Sequence, residues 1–168
     1  LGDKNRMSYD AGNSYIRNVL EATKTLQHNP DDLDARGIIL MGASLSTSSR
    51  LGIGKEENYA YDIYELEFIP EKLFGSSYRR SLTSIFPRFL EAMGNRHAED
   101  IKKYFLDVFG FDSSIEESSR KLIELFSGFG VPMYYDGTIT REQVDALPCQ
   151  TELDSDEVFY MMNRLIRK

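Results

Sequence analysis

Cysteine and histidine are scarce in this chain, positive charge is outweighed, and long apolar runs are missing. The single cysteine, Cys149, excludes an intramolecular disulfide and points to a reducing compartment, the cytoplasm. The two histidines, His28 and His97, lie far apart in sequence and are few for a metalloenzyme. Lys and Arg number 20 against 27 Asp and Glu, a net charge of −7, so neither nucleic acid nor an anionic membrane is an expected partner. No apolar run approaches the roughly 20 residues that a membrane-spanning helix needs. Leu1 to Asn13 lacks the apolar block of a signal peptide. Two-residue alternation never extends beyond about four residues, which leaves no candidate strand. There is no internal repeat, phosphate loop, zinc-type Cys/His spacing or Ser-His-Asp set.

What the sequence does have is helical periodicity, in a chain of 168 residues, long enough to bury a core as one domain. Ile16, Val19, Leu20, Thr23 and Leu26 mark a first helix ending at Asn29-Pro30. Asp31 and Asp32 offer an N-cap to a second, whose expected inward face is Leu33, Gly37, Leu40, Met41, Ser44 and Ser48. Its glycines suggest close approach to a neighbour, and Gly52 and Gly54 should stop it. A third helix, from about Asn58, carries Tyr59, Ile63 and Leu66 on one face and should end or kink at Pro70. After the loop Gly75-Ser76-Ser77-Tyr78 comes an apolar stripe of Leu82, Ile85, Phe86, Phe89, Leu90 and Met93, with Pro87 inside it and Gly94-Asn95 closing it.

A fifth helix shows Ile101, Tyr104, Phe105 and Val108. Ser114 and Glu117 read as a capping box for a sixth, with Ile115, Leu122, Phe126 and Phe129 on its stripe and Gly130-Val131-Pro132 after it. Met133 to Gly137 is loop with room for a short extended piece. Thr140 to Leu147 is a short helix bounded by Pro148. Asp154 or Ser155 caps the last helix, with Val158, Met161, Met162 and Leu165 facing inward. The expected fold is all-α, a bundle of about seven to eight helices spanning 1–168 as a single helical domain.

Chemistry-bearing residues are sparse. Gly52-x-Gly54 follows a helix and has no third glycine, so it reads as a helix end rather than a dinucleotide fingerprint. Asp62, Glu65 and Glu67 read as a solvated acidic face, with Asp62 the exception because it lies beside Tyr59 and Leu66. Tyr78 reads as a hydrogen-bonding core tyrosine. His28 and His97 should be exposed at helix ends, and Met161-Met162 should be packing residues.

The ordered set Asp34-Ala35-Arg36, Ala43-Ser44 to Leu51-Gly52-Ile53-Gly54, Tyr59-Ala60, Ile85-Phe86-Pro87, Phe105 to Phe109-Gly110, Phe126 to Gly130-Val131-Pro132 and Leu153 to Val158 resembles the C-terminal helical domain of iron-containing alcohol dehydrogenases. The butanol-dehydrogenase branch is the nearest likeness. The resemblance implies an NAD(P)-dependent oxidoreductase of two domains. An N-terminal domain holds the dinucleotide, and the helical domain holds Fe²⁺ or Zn²⁺ through one Asp and three His, the metal acting as a Lewis acid on the alcohol or aldehyde oxygen. The first Asp and His of that set would precede Leu1. The later His positions fall on Asp62 and Tyr78, and a further family His falls on Leu66; a one-turn shift brings in Glu65 instead. Tyr and Leu are poor replacements for a neutral imidazole.

The chain alone is therefore expected to bind neither metal nor dinucleotide and to be inactive, its catalytic residues unassigned. The expected partner is an N-terminal nucleotide-binding domain of the same protein, with a homodimer left open. The other reading is a non-catalytic interaction or regulatory domain derived from that family.

Overall fold

The computed structural model describes residues 5–46, 61–147 and 149–167, which group into two compact units. Gly52, Gly54, Ser48, Tyr59, Ala60 and Pro148, all singled out above, lie outside the described residues.

The first unit holds α1 (Arg6–His28), α2 (Leu33–Ser46) and a π-helical turn, Phe105–Phe109. The Asn5 side chain accepts the amides of Met7 and Ser8 to open α1, which stops at Asn29 ahead of Pro30. Asp32 Oδ1 accepts the Ala35 amide at 2.8 Å, so the expected acidic N-cap of α2 is present. The expected inward face of α2 is reversed. Leu33, Leu40 and Met41 are 79%, 69% and 67% exposed, and Gly37 and Ser44 are exposed too. The buried side is Ala35 and Gly42.

The reason is steric. Tyr15 donates its hydroxyl to the Gly42 carbonyl at 2.6 Å, and a Cβ on Gly42 would stand 2.9 Å from Val19 Cγ2. From Gly37 to Leu45 the helix carries no charged residue, so periodicity had no polar side to orient by. The π turn packs on α1 through Asp107. Its carboxylate accepts from the Tyr9 hydroxyl at 3.0 Å and pairs with Lys103, while its carbonyl accepts from Arg17 Nη1 at 2.6 Å. Phe105, Phe109 and Phe111 cluster behind it, and Gly110 takes φ +71° to release the chain.

The second unit holds α3 (Tyr61–Phe74), α4 (Tyr78–Met93), the start of α5 (Ala98–Tyr104), α6 (Ile115–Gly128), α7 (Arg141–Asp145) and α8 (Ser155–Asn163). Its core is Leu66, Ile69, Ile85, Leu90, Leu122, Met161, Met162 and Leu165, each fully or almost fully buried. Such a side chain contributes roughly 1.5–3 kcal/mol on leaving water. Helix α3 runs through Pro70 to Phe74 rather than ending at it. Helix α4 begins at Tyr78, one turn earlier than the apolar stripe suggested, because Ser77 caps it.

Ser114 caps α6 through the Glu117 amide at 3.2 Å, but the Glu117 carboxylate turns to Arg120, so only half of the expected box forms. Thr140 with Gln143 and Asp154 with Glu157 form complete boxes at α7 and α8. Glu157 also accepts both Arg96 Nη atoms, at 2.8 and 2.7 Å, which ties the end of α4 to the start of α8. Tyr135 pairs with the C-terminal segment, its amide donating to the Leu165 carbonyl at 2.8 Å and its carbonyl accepting from Arg167 at 3.0 Å. That single bridge is the expected extended piece. Among the described residues there is no strand, and no helix is long and apolar enough to cross a membrane.

Candidate functional site

The three positions singled out by the resemblance lie on the α3–α4 hairpin. Gly75, at φ +61°, reverses the chain between the helices. The hairpin is pinned from one side by Tyr135. Its hydroxyl bonds Ser76 Oγ at 2.8 Å and Ser84 Oγ at 3.2 Å, its ring stacks on Phe74 at 4.8 Å, and the Arg80 guanidinium covers it at 4.2 Å. Residues from both helices and the loop are thus referred to one buried phenol. This holds the start of α4, and with it Tyr78, in fixed relation to α3.

Asp62 sits in the first turn of α3, where its carboxylate serves another segment. Oδ2 accepts the Glu152 amide at 2.8 Å and the Thr151 hydroxyl at 3.1 Å, and that hydroxyl accepts the Leu153 amide at 3.2 Å. The acid therefore organises the loop that leads into α8. Leu66, one turn on, is sealed in the core. Tyr78 is not the core tyrosine expected but 47% exposed. Partial burial, then Tyr64 and Glu67, push its phenol above the ordinary tyrosine value.

Glu67 departs furthest from expectation. Assigned to a solvated face, it is 2% exposed, and its Oε2 makes no hydrogen bond. Burial, with Glu71 adding, raises its pKa and favours the neutral acid. Its position was open to detection: Glu67 is four residues after Ile63, one after Leu66 and three before Pro70, inside the buried stripe of α3. Helical register, not the usual exposure of glutamate, decides its place. Arg88 was missed in the same way. It is fully buried on α4, donates to the Ser84 carbonyl at 2.6 Å and the Arg164 carbonyl at 3.1 Å, and lies over the Tyr134 ring at 4.9 Å. Burial lowers its pKa to about 10.

The other candidates behave as structural residues. His28 Nδ1 lies 2.9 Å from the Lys24 carbonyl, and His97 Nε2 lies 3.1 Å from Glu152. Burial, then Glu65 and Asp62, push the Cys149 thiol up, away from a reactive thiolate. Among the described residues, no three or more His, Cys, Asp or Glu side chains converge as a metal site would require. Asp62 supplies an oxygen already engaged by two donors, Leu66 supplies none, and Tyr78 holds its proton more firmly than a free phenol. This donor set does not fit Fe²⁺ or Zn²⁺.

No family sequence model matches the chain, and no characterised relative matches it by sequence. A solved structure does match: NADH-dependent butanol dehydrogenase A from Thermotoga maritima, at a TM-score of 0.79 and 15% identity, covering 99% of this chain and 48% of that one. The chain thus spans about half the length of that dehydrogenase and shares the fold of the half it covers. The all-helical fold and its likeness to the butanol-dehydrogenase branch stand together on this match.

Proposed function

We propose that this chain is the C-terminal helical domain of an iron-containing alcohol dehydrogenase-like, NAD(P)-dependent oxidoreductase, with its metal-ligand positions substituted. The observation that carries the reading is the match of nearly the whole chain to about half of a butanol dehydrogenase. An N-terminal nucleotide-binding domain of the same protein is the partner this implies. Asp62, Leu66 and Tyr78 stand where the family places imidazoles. With one acid bound to a neighbouring loop, one aliphatic side chain and one protonated phenol, there is no Lewis acid centre to polarise an alcohol. Alone, the chain does not turn over an alcohol. The lone Cys149 goes with a cytoplasmic location.

The test is reduced-nicotinamide oxidation with an aldehyde and added Zn²⁺ or Fe²⁺. The expected result is no rate above buffer for the chain by itself, and dinucleotide binding, read by fluorescence titration, once the N-terminal half is joined to it. A metal-dependent rate from the chain alone would overturn the inactivity. Absence of dinucleotide binding by the joined protein would overturn the dehydrogenase parentage. The misfit of the donor set also favours a second reading, a domain kept for assembly or regulation, which that last result would select.

A further inference from the structure

The face of α2 that its sequence marks for burial, Leu33, Gly37, Leu40, Met41 and Ser44, is the face the first unit leaves bare. The helix packs on α1 through the opposite side, Ala35 and Gly42. Gly42 has its close neighbours there, Tyr15 and Val19, whereas a Cβ on Gly37 would meet nothing within 4 Å. No charged residue interrupts the helix from Gly37 to Leu45. Arg36, at the edge, is folded back, donating to the Pro30 carbonyl at 2.7 Å and to Asp31 at 3.1 Å. The Ser44 hydroxyl donates to the Leu40 carbonyl at 3.1 Å, so covering this serine strands no donor. Contiguous uncharged apolar surface of this kind marks an interaction site.

The order of residue sizes along the face says which partner fits. Leu33, Gly37, Leu40 and Ser44 follow at steps of four, three and four, the spacing of a seam between two packed helices, and run large, small, large, small. Taken from the other end, the series runs small, large, small, large. An antiparallel copy of α2, with the two-fold axis between positions 38 and 39, therefore seats Leu40 over Gly37 of the second copy and Leu33 over its Ser44. Each bulky side chain meets a gap, and the contact repeats itself across the axis as an isologous interface requires. Opposite ends of the two helix dipoles also come together. The exposed side chains offer on the order of 500 Å² per copy, about 1,000 Å² for the pair, at the lower edge of specific interfaces.

We propose that α2 is a self-association surface, through which two copies of this chain pair as an antiparallel helix dimer. Leu40 is the central knob, since its two copies flank the axis, and Gly37 is the hole that admits it. Met41 lies beside the seam and closes its rim. The partner is a second copy rather than an unrelated apolar helix because the complement of this face is the face itself.

Analytical ultracentrifugation of the full chain, from about 2 to 300 µM in about 0.15 M NaCl, is the experiment. The expected result is a reversible monomer–dimer equilibrium with a dissociation constant on the order of 10–100 µM. Leu40→Glu brings two carboxylates close to the axis and should weaken the dimer more than about 30-fold. The melting temperature of the dilute monomer should not change, because the side chain is exposed. Gly37→Leu separates the proposed fit from general stickiness. It enlarges the apolar face yet fills the hole, so the dimer should weaken about tenfold. The double variant Gly37→Leu with Leu40→Gly exchanges knob and hole and should recover most of that loss. A chain that stays monomeric at the highest concentration, or a dimer indifferent to Leu40→Glu, would overturn the proposal. So would a dimer strengthened by Gly37→Leu, or a double variant no better than Gly37→Leu alone.

Discussion

Glu67 shows how one side chain alters the reading of a helix. A carboxyl in the core with an unbonded oxygen has its folded pKa raised, and the linkage sign follows from that. Below the unfolded value of about 4.3 both states carry the proton and Glu67 costs nothing electrostatic. As pH rises from there through the raised folded pKa, the unfolded chain ionises more readily and stability falls. Glu67→Gln removes this titration at constant size. Its melting temperature should equal the parent's near pH 4 and exceed it increasingly towards pH 8, each kcal/mol appearing as roughly 2–4 °C. A difference that is flat with pH would show that Glu67 is not buried as the acid.

Glu157 titrates in the opposite sense. Arg96, then the Asp154 amide, hold its carboxyl below the ordinary value, so its contribution is present above the unfolded pKa and is lost as pH falls through the depressed one. Glu157→Gln should therefore narrow the gap between melting temperatures at pH 7 and pH 3, measured by circular dichroism. An unchanged gap would count against the pair.

At the scale of elements, α2 separates what periodicity can read from what it cannot. Its start and its acidic cap were legible, because Pro30, Asp31 and Asp32 act through local backbone chemistry. Its buried side was not, because the helix from Gly37 to Leu45 is apolar or small all round and its orientation is set by a tertiary contact, Tyr15 and Val19 against Gly42. The two glycines make a paired test. Gly37 has nothing within 4 Å of a built Cβ, so Gly37→Ala should stabilise by about 0.5–1 kcal/mol. Gly42→Ala gains the same propensity but drives a methyl into Val19, and should destabilise by about 1–2 kcal/mol net. Chemical denaturation of both variants measures this, and a stabilised Gly42→Ala would refute the close approach.

The helix ends at Thr140 and Asp154 were legible for the same local reason as the α2 cap. The early start of α4 was not, since Tyr78, Arg79 and Arg80 carry no apolar stripe. The π turn at Phe105–Phe109 was likewise hidden inside a helical pattern whose aromatic residues fit either winding.

For the whole molecule, the fold was the most legible quantity. Helical stripes, glycine and proline stops and an ordered set of short likenesses all pointed to one architecture, and the match to half of a dehydrogenase has that architecture. The site was less legible. Asp62, Leu66 and Tyr78 could be named, but not the Thr151–Glu152 loop that engages Asp62, nor the Tyr64 and Glu67 that face Tyr78. Those partners come from distant segments or from the far side of a helical turn. The central proposal is that Asp62, Leu66 and Tyr78 hold no metal ion. Elemental analysis of chelator-free protein after anaerobic incubation with Zn²⁺ and with Fe²⁺ tests it most directly. The account predicts no metal above background, in the parent and in Asp62→Ala alike. About one metal per chain in the parent, lost in Asp62→Ala, would contradict it.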